Sequence, residues 1–192
     1  MSAFIGPIHF WLYHKIGKQE GLTKAIADYA FRQNWLTDAN RYTKTLLPLE
    51  TVIDEGNIHG WLQAQITDAE TRYAELVNEL LSADSNRLEV LCSIAFDFGK
   101  ENAVEAADAV EAYKAFEDFF VNGMPCERVN FVTESQPERV SWTMTQDIHA
   151  QYWDDDATVY YTLRKHVMDG MLLGTGFKVE MLNTAHYTIT NK

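Results

Sequence analysis

The amino-acid sequence predicts an α+β fold, an N-terminal helical bundle followed by a small antiparallel sheet. Three observations carry this reading. Apolar residues recur at helical spacing from Ile8 to about Val121. Beyond Pro125 the spacing changes to alternation, through Val129, Phe131 and Thr133 and again through Val140, Trp142 and Met144. The later elements then run strand, strand, helix, strand, with room for a closing hairpin. The helical region 1–123 and the hairpin-helix-strand region 124–192 are expected to share one core. No Ser-, Gly- or Pro-rich linker lies between them.

The first helix is expected over 7–34, with Pro7 in its first turn, where a missing N–H loses nothing, and with a bend near Gly17 to Gly21. Asp38 reads as the cap of a short helix that ends before Pro48. Residues 46–53 form a connector. A long helix over 58–81 follows Asn57, with Trp61, Leu62, Ile66, Tyr73 and Val77 on its stripe. A further helix spans 87–102, and another 104–121, closed by Asn122-Gly123 and by Pro125. The exposed acids of that last helix, Glu105, Asp108, Glu111, Glu117 and Asp118, read as a solvated face. A four-residue connection at 135–138 joins the two strands of a hairpin. Asp154, Asp155 and Asp156 precede a helix over 157–173; they suit its N-terminus, although three carboxylates could also hold a cation. Phe177, Val179 and Met181 begin a strand, and 183–186 turn it toward Tyr187 and Ile189.

Residues 6–16 align with 56–66 without a gap, on the shared pattern G-x-I-H-x-W-L-x-x-x-I. The two helices are expected to pack together, with Trp11 and Trp61 in one core. His9 and His59 sit at the edges of the two stripes, and Glu20 and Glu70 follow three turns later, nearly in line. The histidines either hydrogen-bond at the margin of a helix–helix core or serve as metal ligands with the glutamates, as in carboxylate-bridged bundles. The Glu-x-x-His pairs usual in such bundles are not found.

Composition narrows the function classes. A formal charge of −12 argues against nucleic acid and anionic membrane surfaces, which call for basic patches. No apolar run approaches the ~20 residues that cross a bilayer, and the N-terminus lacks the pattern of a secretory signal. Cys92 and Cys126 are the only cysteines and form no disulfide or metal-binding pattern, so a cytoplasmic location is expected.

Polar groups suited to chemistry concentrate in the C-terminal half. His149 lies beside Tyr152 and Trp153; Tyr160 and Arg164 share a helix face, and His166 follows. A Tyr–Arg pair suits an anionic ligand group, or is a surface Arg with a ring packed beneath it. Cys126 and His149 could form a thiol–imidazole pair, although free Cys is more often a small buried residue. No phosphate-binding loop, nucleophile elbow or zinc-protease motif occurs.

The order of elements from Glu105 to Ile189 resembles a group of small ligand-binding domains: the 4-vinyl reductase domain, the haem-nitric-oxide-binding domain and the L-2-amino-thiazoline-4-carboxylic acid hydrolase-like proteins. The resemblance implies helices, a hairpin, a helix and a closing hairpin around an apolar cavity. Tyr160-Tyr161-Thr162-Leu163-Arg164 resembles the haem family's Tyr-x-Ser-x-Arg, with Thr for Ser. The haem family's proximal His lies well upstream on a helix, whereas His149 is close to this motif and at a strand end, so the resemblance names no cofactor. The stretch from Asp169-Gly170 to Phe177-Lys178-Val179-Glu180 is similar in layout to the hydrolase-like proteins, without their cysteine-rich ends.

Together these readings lead to a small-molecule binding or sensing protein with a partly anionic ligand. Its cavity is expected between bundle and sheet, lined by Trp11, Trp61, Trp142 and Trp153, with Arg164 and His149 at the mouth and Tyr160 and His166 nearby. The alternatives are a hydrolase using His149 with Cys126, a metal-dependent enzyme built on the His/Glu set, and a protein that docks a partner or forms a homodimer through an apolar patch.

Overall fold

Apolar stripes with few interruptions and well-placed caps build the helical half of the chain. A computed structural model describes residues 4–154 and 156–192. Helix α1 (Pro7–Arg32) is unbroken, with Phe98 lying against Gly21 where a bend was expected. Residues 36–47 form turns and extended chain instead of a short helix. Asp38 caps only a turn, accepting from Asn40 N–H, while buried Leu36 and Tyr42 anchor the segment to the core. Helix α2 is the single turn Leu49–Val52.

Helix α3 (Ile58–Ala83) starts on Asn57, whose Oδ1 accepts from Gly60 N–H. It runs in the same direction as α1, since His9 meets His59 at one end and Glu20 meets Arg72 further along. Leu12, Ile16, Leu62 and Ile66 are buried between the two helices, and Trp11 and Trp61 pack half-buried at the margins of this cluster. Helix α4 (Arg87–Glu101) follows after a short turn.

Helix α5 (Ala109–Phe119) begins later than the apolar pattern suggests. Asp108 accepts from Glu111 N–H while Glu111 reaches back to Ala107 N–H, a reciprocal cap that sets the start. The preceding stretch is tied elsewhere, by Val104 N–H to the Met171 carbonyl.

Strands β1 (Asn130–Gln136) and β2 (Arg139–Met144) form the first hairpin through the two-residue connection Pro137-Glu138, shorter than expected. After α6 (Thr158–Met171), β3 (Phe177–Asn183) and β4 (His186–Asn191) form the second hairpin. The sheet order is β1-β2-β4-β3, antiparallel throughout. Val140, Trp142, Tyr187, Ile189 and Val179 face inward, and Trp142 stacks on Tyr187 at 5.2 Å. Strand β1 is an edge, and its Phe131 is exposed.

The inner face of the sheet packs on α5, and α6 packs on α4 at a glycine-lined crossing of Gly99 and Gly170. Buried residues from α1, α3, α4, α5, α6 and the sheet form one continuous cluster that spans the two halves, beside the separate cluster around Leu12, Ile16, Leu62 and Ile66. None of the described helices is long and apolar enough to cross a membrane.

Candidate functional site

Segment 120–130, between α5 and β1, crosses the junction of α1, α3 and α6, and the polar interior of the molecule lies behind it. Asn122-Gly123 is not the cap of α5, which ends at Phe119 with Phe120 in extended conformation; Gly123 instead turns the following segment, at φ +73, where a residue with a Cβ is strained. Gly123 lines a cleft on either side of the segment.

On one side stands His149, fixed by a small acid. Asp147 Oδ1 accepts from the His149 and Ala150 backbone N–H groups and from the Tyr161 hydroxyl, at 3.1, 3.1 and 2.8 Å. This ties the turn after β2 to α6. The His149 ring stacks on Tyr160 at 3.8 Å, and Tyr161 and Trp153 meet this pair edge-on. Glu70 of α3 brings Oε2 to 3.2 Å from His149 Nδ1, with both side chains buried. The approach lacks hydrogen-bond geometry, and both Glu70 oxygens and both His149 nitrogens are without partners among the described residues. The adjoining cleft, about 40 Å³ between Gln63, Glu127 and Tyr152, has room for a water molecule or two. Burial first, and the Glu70 carboxylate second, push the Tyr160 phenol well up, so it remains a donor at neutral pH.

Arg164 lies one turn further along α6, 3% exposed. Its Nη1 donates to Asn122 Oδ1 at 2.9 Å, its Cζ sits 4.5 Å over the Phe120 ring, and its Nε has no partner. Burial alone would lower its pKa, yet Tyr160, Tyr187, Tyr161 and Glu117 around it hold it above the ordinary arginine value.

On the other side of Asn122 is Lys15 of α1, 2% exposed. Its Nζ lies 3.9 Å from the centre of the Trp11 ring, a cation–π contact. No carboxylate stands within 4.0 Å of Lys15 or Arg164 among the described residues. Burial pulls the Lys15 ammonium down to about 8, with Arg164 acting the same way and Glu117 and Asp118 opposing. Lys15 lines a cleft of about 310 Å³ with Trp11, Glu117, Asn122, Met124 and Arg128.

The residues expected from the sequence divide accordingly. His149, Tyr160, Arg164 and Trp153 come together in the interior, and Glu70 joins them. Cys126 does not: it is exposed and lines a separate cleft of about 160 Å³ with His9 and His59, so the Cys126–His149 pair is not assembled. His166 is turned to its own helix, with Nδ1 2.9 Å from the Thr162 carbonyl. The four tryptophans share no cavity. Trp142 lies under the sheet against Tyr187 and Trp153 against Tyr73, while Trp61 packs on Tyr13 and only Trp11 borders the large cleft.

The His9 and His59 rings are neighbours, 5.7 Å apart. His9 Nδ1 accepts from Gly6 N–H at 2.9 Å, which leaves the proton on its buried, unpartnered Nε2. That nitrogen is a donor, which is unsuited to ligating a metal. Of the two glutamates in that set, Glu20 is occupied in an ion pair with Arg72 and Glu70 lies against His149. No group of three or more His, Cys, Asp or Glu among the described residues is arranged to hold a metal ion. In the acidic triplet, Asp156 accepts from Thr158 N–H at the start of α6, and Asp155 lies outside the described residues.

Sequence reasoning missed Lys15 and Asn122. A signal for Lys15 existed: it sits beside Ile16 on the apolar stripe, four residues after Trp11, the spacing at which a Lys can lie over an aromatic face. Comparison with protein-family models, curated proteins and solved structures gave no match to this chain.

Proposed function

We propose that this chain binds a small molecule with an anionic group and an apolar body, in the cleft between α1 and the 122–130 segment. One observation carries the reading: Lys15 is buried in the lining of this cleft with no carboxylate within 4.0 Å among the described residues, and Arg164, equally buried, lies beyond Asn122. A buried charge without a partner costs several kcal/mol, and a chain with 28 acidic and 16 basic residues has carboxylates to spare. An anion supplied from outside would offset that cost. Trp11, Ile8, Met124 and Pro125 offer the apolar wall, and Arg128 offers a second cation in the lining. This is the composition of small-molecule sites, apolar with a few convergent polar groups.

A sensing or carrier role in the cytoplasm belongs to the same reading, supported by the free thiols of Cys92 and Cys126. The net negative charge speaks against a nucleic-acid partner. Thermal unfolding with a panel of small carboxylates tests the proposal. A ligand at a hundred times its Kd should add ~2.7 kcal/mol of stability, and Lys15→Met should remove most of that gain. The absence of any stabilising carboxylate, together with recovery of only the free protein by native mass spectrometry, would refute it.

A second reading has its own support. The unpaired nitrogens of His149 beside Glu70, at a water-sized cleft, suit an imidazole that takes a proton from water in a hydrolytic reaction. Loss of a hydrolytic activity in both His149→Gln and Glu70→Gln, with Cys126→Ser unaffected, would favour it over simple binding.

A further inference from the structure

The cleft that holds Lys15 offers more than a counter-charge. Its amine is unusual in three geometric respects. Lys15 is 2% exposed, its only close partner is the Trp11 ring, and its cleft has room for a molecule of several heavy atoms, at about 310 Å³. Glu117 is the single carboxylate among the described lining residues. Asn122 and Asn130 hold it by donating to Oε1, at 3.3 and 2.5 Å. Arg128 lines the same cleft and is held in the left-handed region at φ 47, a conformation that a non-glycine residue adopts only when its surroundings impose it.

From this arrangement we infer that Lys15 forms a reversible imine with a small oxo acid, its carboxylate toward Arg128 and its carbonyl carbon at Nζ. The inference rests on the binding reading above. An amine reacts with a carbonyl only as the free base, and desolvation in an apolar site is the recognised way to obtain one near neutral pH. The lowering of the Lys15 pKa to about 8 agrees with this.

The chemistry balances without a further reactant. The Lys15 ammonium gives one proton to solvent water, since no carboxylate stands within 4.0 Å of it among the described residues. The freed nitrogen pair bonds to the carbonyl carbon while the carbonyl π pair moves to oxygen, and a second amine proton passes to that oxygen, giving a carbinolamine. Solvent returns one proton to the hydroxyl, which leaves as water when the nitrogen pair closes the C=N bond. The product is a protonated imine and one water molecule, and addition of water reverses the step.

The test uses the full chain with pyruvate and phenylpyruvate as probes and cyanoborohydride to reduce the imine. Lactate and phenyllactate, which keep the carboxylate and lack the carbonyl, serve as binding controls by thermal shift. Peptide mass mapping should locate the reduced adduct on Lys15, formed at least ~10-fold faster than on exposed Lys114 of the same chain, because far more Lys15 is free base near neutral pH. Lys15→Arg should abolish the adduct and keep the thermal shift with lactate. Lys15 labelling no faster than Lys114 overturns the imine; if lactate or phenyllactate still stabilises the chain, the binding reading survives. No labelling and no stabilisation overturns both. The comparison of Lys15 with Lys114 within one chain holds even if the Arg variant fails to fold.

Discussion

The crossing of α4 and α6 makes a prediction whose sign runs against helix propensity. Gly99 and Gly170 both lie inside helices, where replacement by Ala in an exposed position stabilises by ~1 kcal/mol. Here a Cβ on Gly170 would stand 2.1 Å from the Phe96 carbonyl oxygen, and a Cβ on Gly99 would stand 2.1 Å from that of Val167. Ordinary contact begins near 3.4 Å, so the helices must part by roughly 1 Å along a seam that buries Leu91, Ala95, Leu163 and Val167. The obstructing atoms are backbone and have no rotamer to change. Overpacking costs of ~1–3 kcal/mol, or more at such rigid contacts, outweigh the propensity gain. Gly170→Ala should therefore destabilise by at least ~2 kcal/mol in urea unfolding, with Tm lower by ~4–8 °C. Adding Gly99→Ala should cost less than it does alone, since the helices have already separated. Gly174→Ala, in open space, is the control and should fall within ~0.5 kcal/mol of the parent. A Gly170→Ala protein as stable as the parent, or more so, would refute the close crossing.

Three further expectations follow from other contacts. Lys15 has a folded-state pKa of about 8 against an ordinary 10.5, so the unfolded chain binds more protons between those values and stability rises with pH through that window. The parent should gain up to ~3 kcal/mol relative to Lys15→Met from pH 8 to 10.5, and a constant difference in urea unfolding across that range would contradict the burial of an unpaired ammonium. Asp147→Ala removes the acceptor of three hydrogen bonds and should cost ~2–4 kcal/mol; a loss below ~1 kcal/mol by chemical unfolding would mean that His149 is not held through Asp147. Arg72→Met leaves Glu20 buried without its partner and should cost ~3–5 kcal/mol, with much of it recovered in the Glu20→Met double variant; failure of that recovery would remove the paired-charge explanation.

Most of the element order was legible because it depends on neighbours in the chain. The 3.6-residue stripes of α1, α3 and α4 and the alternation through Val140, Trp142 and Met144 are all local signals. The failures were local too, but decided from a distance. Asp38 has the chemistry of a helix cap, yet Tyr42 is drawn into the core, with its carbonyl accepting from Arg72, and the segment stays extended. Phe131 has the alternation of a core strand, yet β1 is the sheet edge and no layer covers it.

The sequence by itself determined that the aromatic and aliphatic stripes leave water, and it singled out His149, Tyr160 and Arg164 as a polar set, although it placed His149 and Arg164 at a cavity mouth where the structure buries them. Hydrophobic burial is non-directional, so a stripe states that a face is covered without stating by what. Only the tertiary structure decided that His149 faces Glu70 instead of Cys126, that Arg164 reaches Asn122, and that Lys15 ends among apolar residues beside a cleft. Each of these pairs joins groups on different elements, and their placement follows from how α1, α3 and α6 stack behind the 120–130 segment. The closeness of that stacking depends in turn on two missing side chains, at Gly99 and Gly170, whose effect appears only when one helix lies against the other.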